Sequence, residues 1–315
     1  MPRPPRNPLI PVRDGVSASC VALPHPPAGT RPWENVLDFL AQRLPKLDRD
    51  AWSRRLACGQ VVDEAGRAVA PDTPYQGGTR LFYWRALDAE PVVPFEERVL
   101  FQDAQLVVAD KPHFLPVTPG GRYVQQSLLV RLKRRLGLPE LSPVHRIDRE
   151  TAGLVVFSVR AQDRAAYQAL FRERRVDKQY EAIAPAGDSG RFPLRRRSRI
   201  EEDPQAFFRM HEVPGEANSE TAIDVIEHQG NWARYRLVPV TGKRHQLRVH
   251  LHGLGLPIAG DQFYPQVRRG PDAAEDFSDP LRLLAAGIAF TDPLTGQARA
   301  FTSGLSLDWP SPPHP

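Results

Sequence analysis

The chain has 315 residues, enough for one large domain and a small one, with a formal charge of +5 and an isoelectric point near 9.4. No apolar run approaches the ~18 residues that a membrane helix needs. The N-terminal arginines precede no signal-peptide core, and Cys20 and Cys58 are too few for a disulfide framework, so a cytoplasmic protein is expected.

Residues 1–30 are rich in proline and arginine, and residues 307–315 are proline-rich too. Both are expected to be loose, an arm and a tail that bury no core. Residues 31–92 read as a small helix-helix-hairpin module. ENVLDFLAQRL sets Val36, Leu37, Leu40 and Leu44 at helical spacing. LDRDAWSRRLACG follows as a second helix, with Asp48 as N-cap and Gly59 as stop. QVVDEAGRAVA reads as a hairpin turning at Glu64 to Gly66, and TRLFYWR as another strand.

Residues 93–306 have the character of a larger domain. LVVAD is a strand ending at Lys111-Pro112. SLLVRLKRRLG is an amphipathic helix with Leu128, Leu129, Leu132 and Leu136 inward and its basic residues outward. GLVVFSV reads as a strand buried on both faces, and QDRAAYQALFRERR as a helix. KQYEAIAP is a strand with Tyr180, Ala182 and Ala184 on one face, and ARYRLVPV is another. TGKRHQLRVHLHGLG starts as a turn and continues as a helix, and LLAAGIAFTDPLTGQARAF is a hairpin around Asp292 to Gly296. The pattern implies an α/β domain of the α+β type, on a large, mixed, mostly antiparallel sheet.

Several chemistries are excluded. There is no Walker loop, no dinucleotide fingerprint and no G-x-S-x-G elbow. His245, His250 and His252 lack zinc-site spacing, so no metal is expected. Asp148, in HRIDRE ahead of GLVVF, is either a turn carboxylate or a catalytic one, and Glu150 beside it could form a glycosidase pair. Arg248 shares a helix face with His245 and His252. It is either part of a solvated stripe or a guanidinium presented to a buried carboxylate, whose pKa it would lower by about one to three units. Tyr180 is either core or a flat platform for a base. The basic stripes Arg131 to Arg135, Arg172 to Arg175 and Arg191 to Arg199 read singly as solvated faces. Three of them near one suspected site point towards phosphate contacts.

Five segments stand in order: KPHFLPV (Lys111 to Val117), HRIDRETAGLVVF (His145 to Phe157), KQYEA (Lys178 to Ala182), TGKRHQLRVHL (Thr241 to Leu251) and PIAGDQFY (Pro257 to Tyr264). Together they resemble the RluA family of pseudouridine synthases, from about Phe95 to Leu305. The resemblance implies isomerisation of uridine to pseudouridine in a stem-loop of ribosomal or transfer RNA, by a monomer without cofactor or metal. It implies that Asp148 is the catalytic aspartate, that Tyr180 stacks on the uracil and that Arg248 pairs with Asp148. It places Arg146 in the gap left by the flipped nucleotide. His145, Arg149, Lys111, Lys178, Arg244 and His245 join it in RNA binding and base flipping, and Ile258 packs near the base. The chain departs from the common pattern at Phe114 (usually Gly), Ile147 (Leu), Ala152 (Ser), Arg244 (Thr) and Ala259 (Val). Of these, Phe114 is expected to reshape the pocket rim. The small module resembles, more loosely, an RNA-binding unit of a ribosomal protein, against the alternative of a plain packing domain. Two rival readings are an inactive RNA-binding protein on the same fold and the carboxylate-pair glycosidase.

Overall fold

A computed structural model describes residues 7–87, 89–270 and 273–310, so the ends of the expected arm and tail, 1–6 and 311–315, lie outside the described residues. The chain divides between Glu90 and Pro91 into two compact units.

The first unit contains β1 (Ser19–Ala22), α1 (Val36–Arg43), α2 (Arg49–Ala57), β2 (Val61–Val62) and β3 (Arg80–Tyr83). Asn35 caps α1 by accepting from the Asp38 N–H, and Asp48 caps α2 by accepting from the Ala51 N–H. Phe39, Leu40, Trp52 and Leu56 pack together beneath the sheet order β1-β3-β2. The arm is not loose as expected. It supplies β1, which pairs along its whole length with β3, and it buries Leu23 in the module's core. Three apolar residues in the arm, Ile10, Val16 and Leu23, outweigh its proline content.

The second unit runs β4 (Arg98–Gln102), β5 (Leu106–Lys111), α3 (Leu128–Leu136), β6 (Ser142–Pro143), β7 (Ala152–Ser158), α4 (Arg164–Arg172), β8 (Val176–Pro185), β9 (Leu194–Asp203), β10 (Ala206–Val213), β11 (Ser219–Gln229), β12 (Trp232–Pro239), α5 (Gln246–Gly253), β13 (Leu283–Thr291) and β14 (Ala298–Thr302). The main sheet has the order β10-β9-β11-β12-β8-β13-β7-β5-β4, with β6 on β7 and β14 on β13. Every pairing is antiparallel except β13 with β7.

Strand β7 is buried from end to end because helices cover both faces. Val155 and Phe157 pack with Leu128 and Leu132 of α3. Leu154 and Val156 pack with Tyr167 and Leu170 of α4. Helix α5 packs Leu247 and Leu251 on Ala182 and Ala184 of β8. The parallel contact of β7 and β13 is close. A Cβ on Gly153, whose φ is +106°, would lie 2.3 Å from the Ala285 carbonyl oxygen.

The basic stripes are largely satisfied within the fold. The segment from Leu194 is strand β9, not a solvated loop. Arg195 and Arg197 pair with Glu220, Arg196 with Glu212 and Arg199 with Glu201. In α3 the basic residues do not all face out. Lys133 is buried, and Arg131 donates to the Val93 and Phe95 carbonyls, fastening the segment that enters the domain.

Replacing Gly153 by alanine is expected to destabilise the domain by roughly 3 kcal/mol or more, since both the φ and the space forbid a side chain. Urea unfolding checks this; a loss below about 1 kcal/mol would contradict the β7–β13 geometry.

Candidate active site

A cavity opens where β8, the end of β12, the turn into α5 and the loop before β7 converge. Arg146, Ile147, Asp148, Thr151, Lys178 and Tyr180 line one part of it. Thr241, Gly242, Lys243, His245, Leu247, Arg248 and Leu283 line the rest. Its volume is about 100 Å³. One water needs ~10–15 Å³ in the same measure, so there is room for one flat ring and not for a base pair.

Arg248 lies beneath the cavity and is fully buried. Its first partner is not Asp148, as expected, but Asp261, also fully buried. Nε donates to Oδ2 at 2.8 Å and Nη2 to Oδ1 at 2.6 Å. Asp261 is held in turn by the N–H groups of Phe263 and Tyr264, at 2.8 and 3.1 Å. The third guanidinium nitrogen, Nη1, has no hydrogen-bond partner among the described residues. It points between Asp148 Oδ2 at 3.5 Å and Glu150 Oε2 at 4.0 Å. Burial opposes the Arg248 charge, but Asp261, Asp148 and Glu150 together raise its pKa above the ordinary value.

The loop carrying Asp148 is pinned from behind. Lys111 is not at the surface: fully buried, it donates to the Arg149 and Pro112 carbonyls, each at 2.9 Å. Burial pulls its ammonium down to about 7, against the pull of Glu150 and Asp148. His113 Nδ1 donates to the Glu150 carbonyl at 2.7 Å. Arg149 binds Glu150 at 2.8 Å and Glu275 at 2.8 Å. His145 accepts from the Val156 N–H at 3.1 Å and stacks on Phe171. Lys111, Arg149 and His145 therefore support the loop, and none of them lines the cavity. Glu150 cannot serve as a glycosidase acid. Burial raises its pKa, but Arg149 and Arg248 more than offset this and hold it below the usual range, ionised.

Tyr180 sits in the middle of β8, opposite Leu237 of β12 and Ala285 of β13. Burial, with Asp148 nearby, raises its pKa, so the phenol keeps its proton. His245 precedes α5 in a left-handed conformation, φ +54°. The Tyr264 hydroxyl donates to the Met210 carbonyl, so His245 Nδ1–H donates to Tyr264, 3.1 Å away. That leaves an unprotonated Nε2 facing Asp148 Oδ2 at 3.9 Å. Gln246, which the sequence did not single out, accepts from Thr241 Oγ1 and the Lys243 N–H and so shapes the turn at the cavity mouth.

Arg146 is exposed at the mouth and has no partner among the described residues; Lys178 and Lys243 stand near it. Arg244 does not line the cavity: it binds Glu202 at 3.1 Å and the Phe207 carbonyl at 2.5 Å. Ile258 is also absent from the lining, buried in the core with Leu251 and Leu256, and Ile147, Leu247 and Leu283 supply the apolar wall instead. Phe114 does not shape the rim. It takes the left-handed φ of +65° that suits glycine and buries its ring against Phe277. Among the described residues, no group of three or more His, Cys, Asp or Glu is placed to hold a metal ion, and no helix is long and apolar enough to cross a membrane.

The family model for RNA pseudouridylate synthase matches residues 105–253. An uncharacterized RNA pseudouridine synthase of Synechocystis is 34% identical over 73% of this chain and 79% of that protein. The dual-specificity RNA pseudouridine synthase RluA of Haemophilus influenzae is 34% identical over 68% of this chain and 94% of that protein. Among solved structures, human RNA pseudouridylate synthase domain containing 1 superposes with a TM-score of 0.54 at 22% identity, over 68% of this chain and 85% of that one; the likeness is one of fold. Human RNA pseudouridylate synthase domain containing 4 gives 0.51 at 28% identity, over 67% and 88%.

Burial lowers the pKa of His145 to about 3 and of His113, His245 and His250 to about 4. Unfolded, these rings titrate near 6.5. Between about 6.5 and 4 the unfolded chain therefore binds more protons, and stability falls as pH falls. Unfolding free energy is expected to drop by at least ~3 kcal/mol between pH 7 and pH 5, read from urea midpoints. A midpoint flat across that range would contradict neutral buried rings.

Proposed function

The chain belongs to the RluA family of RNA pseudouridine synthases, and from that premise we propose how its cavity works on uridine. The reaction isomerises uridine to pseudouridine within RNA. The bond from the sugar carbon to the ring nitrogen breaks, the ring turns, the same sugar carbon bonds to a ring carbon that gives up its proton, and the freed ring nitrogen takes up one proton, so atoms and charge balance.

Asp148 acts on the sugar, as nucleophile at the sugar carbon or as base for a sugar proton. Either step needs an ionised, aimed carboxylate. The observation that carries this reading is the free Nη1 of Arg248, 3.5 Å from Asp148, above a guanidinium locked elsewhere to Asp261. Tyr180, with its proton retained, is the flat floor for the uracil rather than a base. Ile147, Leu247 and Leu283 keep the cavity apolar around it, so that the detached base is held out of water.

A cavity sized for one ring cannot admit a base that is still stacked in RNA. The uridine must be extruded, at a cost of a few kcal/mol. Arg146, two residues before Asp148, exposed and unpartnered among the described residues, fills the gap and offsets part of that cost. We further propose a stem-loop of ribosomal or transfer RNA as substrate and a cytoplasmic monomer as the working form. Mapping pseudouridine in total RNA with and without the gene, cell fractionation, and light scattering of the purified protein test these three statements in turn.

Asp148→Asn is expected to leave RNA affinity and thermal unfolding near wild type while product formation falls below about a hundredth, as removal of an essential group commonly does. Turnover above that level would take Asp148 out of the chemistry. Arg146→Ala is expected to lose at least about tenfold more activity on a folded stem-loop than on an unstructured strand, where extrusion is cheap. Equal losses on both substrates would contradict gap filling.

A further inference from the structure

Strand β10 departs from its partner just beside the cavity. Ala206 pairs with Asp203 and Met210 with Glu202, so four steps along β10 are set against one along β9. Phe207, Phe208 and Arg209 are thrown out of the ladder, as a bulge does when it re-aims side chains. Phe207 is 75% exposed, the highest value among the large hydrophobic residues of this face. An aromatic run leads from it to the catalytic carboxylate. Phe207 meets Phe208 at 5.5 Å, Phe208 meets Phe263 at 5.2 Å, and Phe263 stacks on His245 at 5.8 Å. His245 faces Asp148.

The bulge is held in place. Arg244 donates to the Phe207 carbonyl at 2.5 Å and the Arg209 carbonyl at 3.3 Å, and pairs with Glu202. This uses two carbonyls that the broken ladder leaves free. Arg209 donates to the Pro265 carbonyl at 3.3 Å. The residue that departs from the family pattern thus fastens an exposed aromatic at a fixed place next to the site.

We propose that this bulge is a stacking platform for an unpaired nucleobase next to the flipped uridine, with Phe207 as its outer face. The proposal rests on the RNA reading above. The chemistry favours a base over a phosphate, because Arg199 and Arg244 beside the bulge are already paired with Glu201 and Glu202, while the exposed aromatic face accepts any base. The phosphates are left to Arg146, Lys178 and Lys243 at the mouth.

The test uses full-length protein and the stem-loop transcript that wild type modifies, found by mapping total RNA. Phe207→Ala is expected to raise KM about fivefold or more, the range for losing one base–aromatic stack, with kcat within twofold. Phe207→Trp is expected to keep KM within twofold. An abasic residue beside the target is expected to raise the wild-type KM alike and to leave Phe207→Ala no further loss. An unchanged KM in Phe207→Ala with wild type active overturns the platform alone. So does a loss that persists on the abasic transcript, or a change in the sedimentation of the free protein, which would mark a protein contact instead. A wild type that modifies no RNA overturns the functional reading and the platform with it.

Discussion

The bidentate pair between Arg248 and Asp261 is the constraint on which the site depends. A guanidinium with no solvent exposure is costly unless it is paired, and Asp261 takes two of its three nitrogens. Asp261 is in turn fixed by two backbone N–H groups of its own turn. The third nitrogen is therefore aimed by the backbone, through two side chains, at Asp148. A lysine could not do this, since it lacks the rigid fork that lets one edge hold Asp261 while the other is presented elsewhere.

The charges around that axis are arranged so that Asp148 alone is left partly open. Glu150 is buried and neutralised by Arg149, and its side chain is 10% exposed, whereas that of Asp148 is 25% exposed to the cavity. The neutral His245 gives Asp148 no competing donor, because its Nδ1–H is spent on Tyr264. Lys111 and His113 hold backbone carbonyls of the loop, so the aspartate is fixed by main-chain contacts and by β7 behind it. Preorganisation of this kind places the cost of ordering in folding and not in the reaction.

What was legible in the sequence was local. The unbroken apolar run of β7 announced a strand covered on both faces, and the segment around Arg248 read as a helix, although His245 precedes it in a left-handed turn and shares no helix face with Arg248; the pairing with Asp148 came from the family resemblance. The missed features join residues far apart along the chain. Asp261 lies in an aperiodic turn, so nothing in its surroundings marks it as the partner of Arg248. Lys111, Arg149 and Arg244 look like surface cations in the sequence, yet their acceptors are a carbonyl 38 residues on, a carboxylate 126 residues on and a carbonyl 37 residues back. The run from Leu194 to Arg199 hid strand β9, because clustered arginines read as a solvated stripe until Glu220 and Glu212 arrive from the neighbouring strands. Ile258 was misplaced for a similar reason. Its apolar character was right, but the core of α5, not the cavity, takes it up.

The central claim is that Asp261 aims Arg248, and Arg248 aims Asp148. The most direct measurement is the single-turnover rate of pseudouridine formation by Asp261→Asn at saturating enzyme. The account predicts a fall of about a hundredfold in that rate, as small misplacements of reacting groups produce, with RNA affinity within about twofold of wild type. A single-turnover rate equal to wild type in a folded Asp261→Asn protein would contradict it.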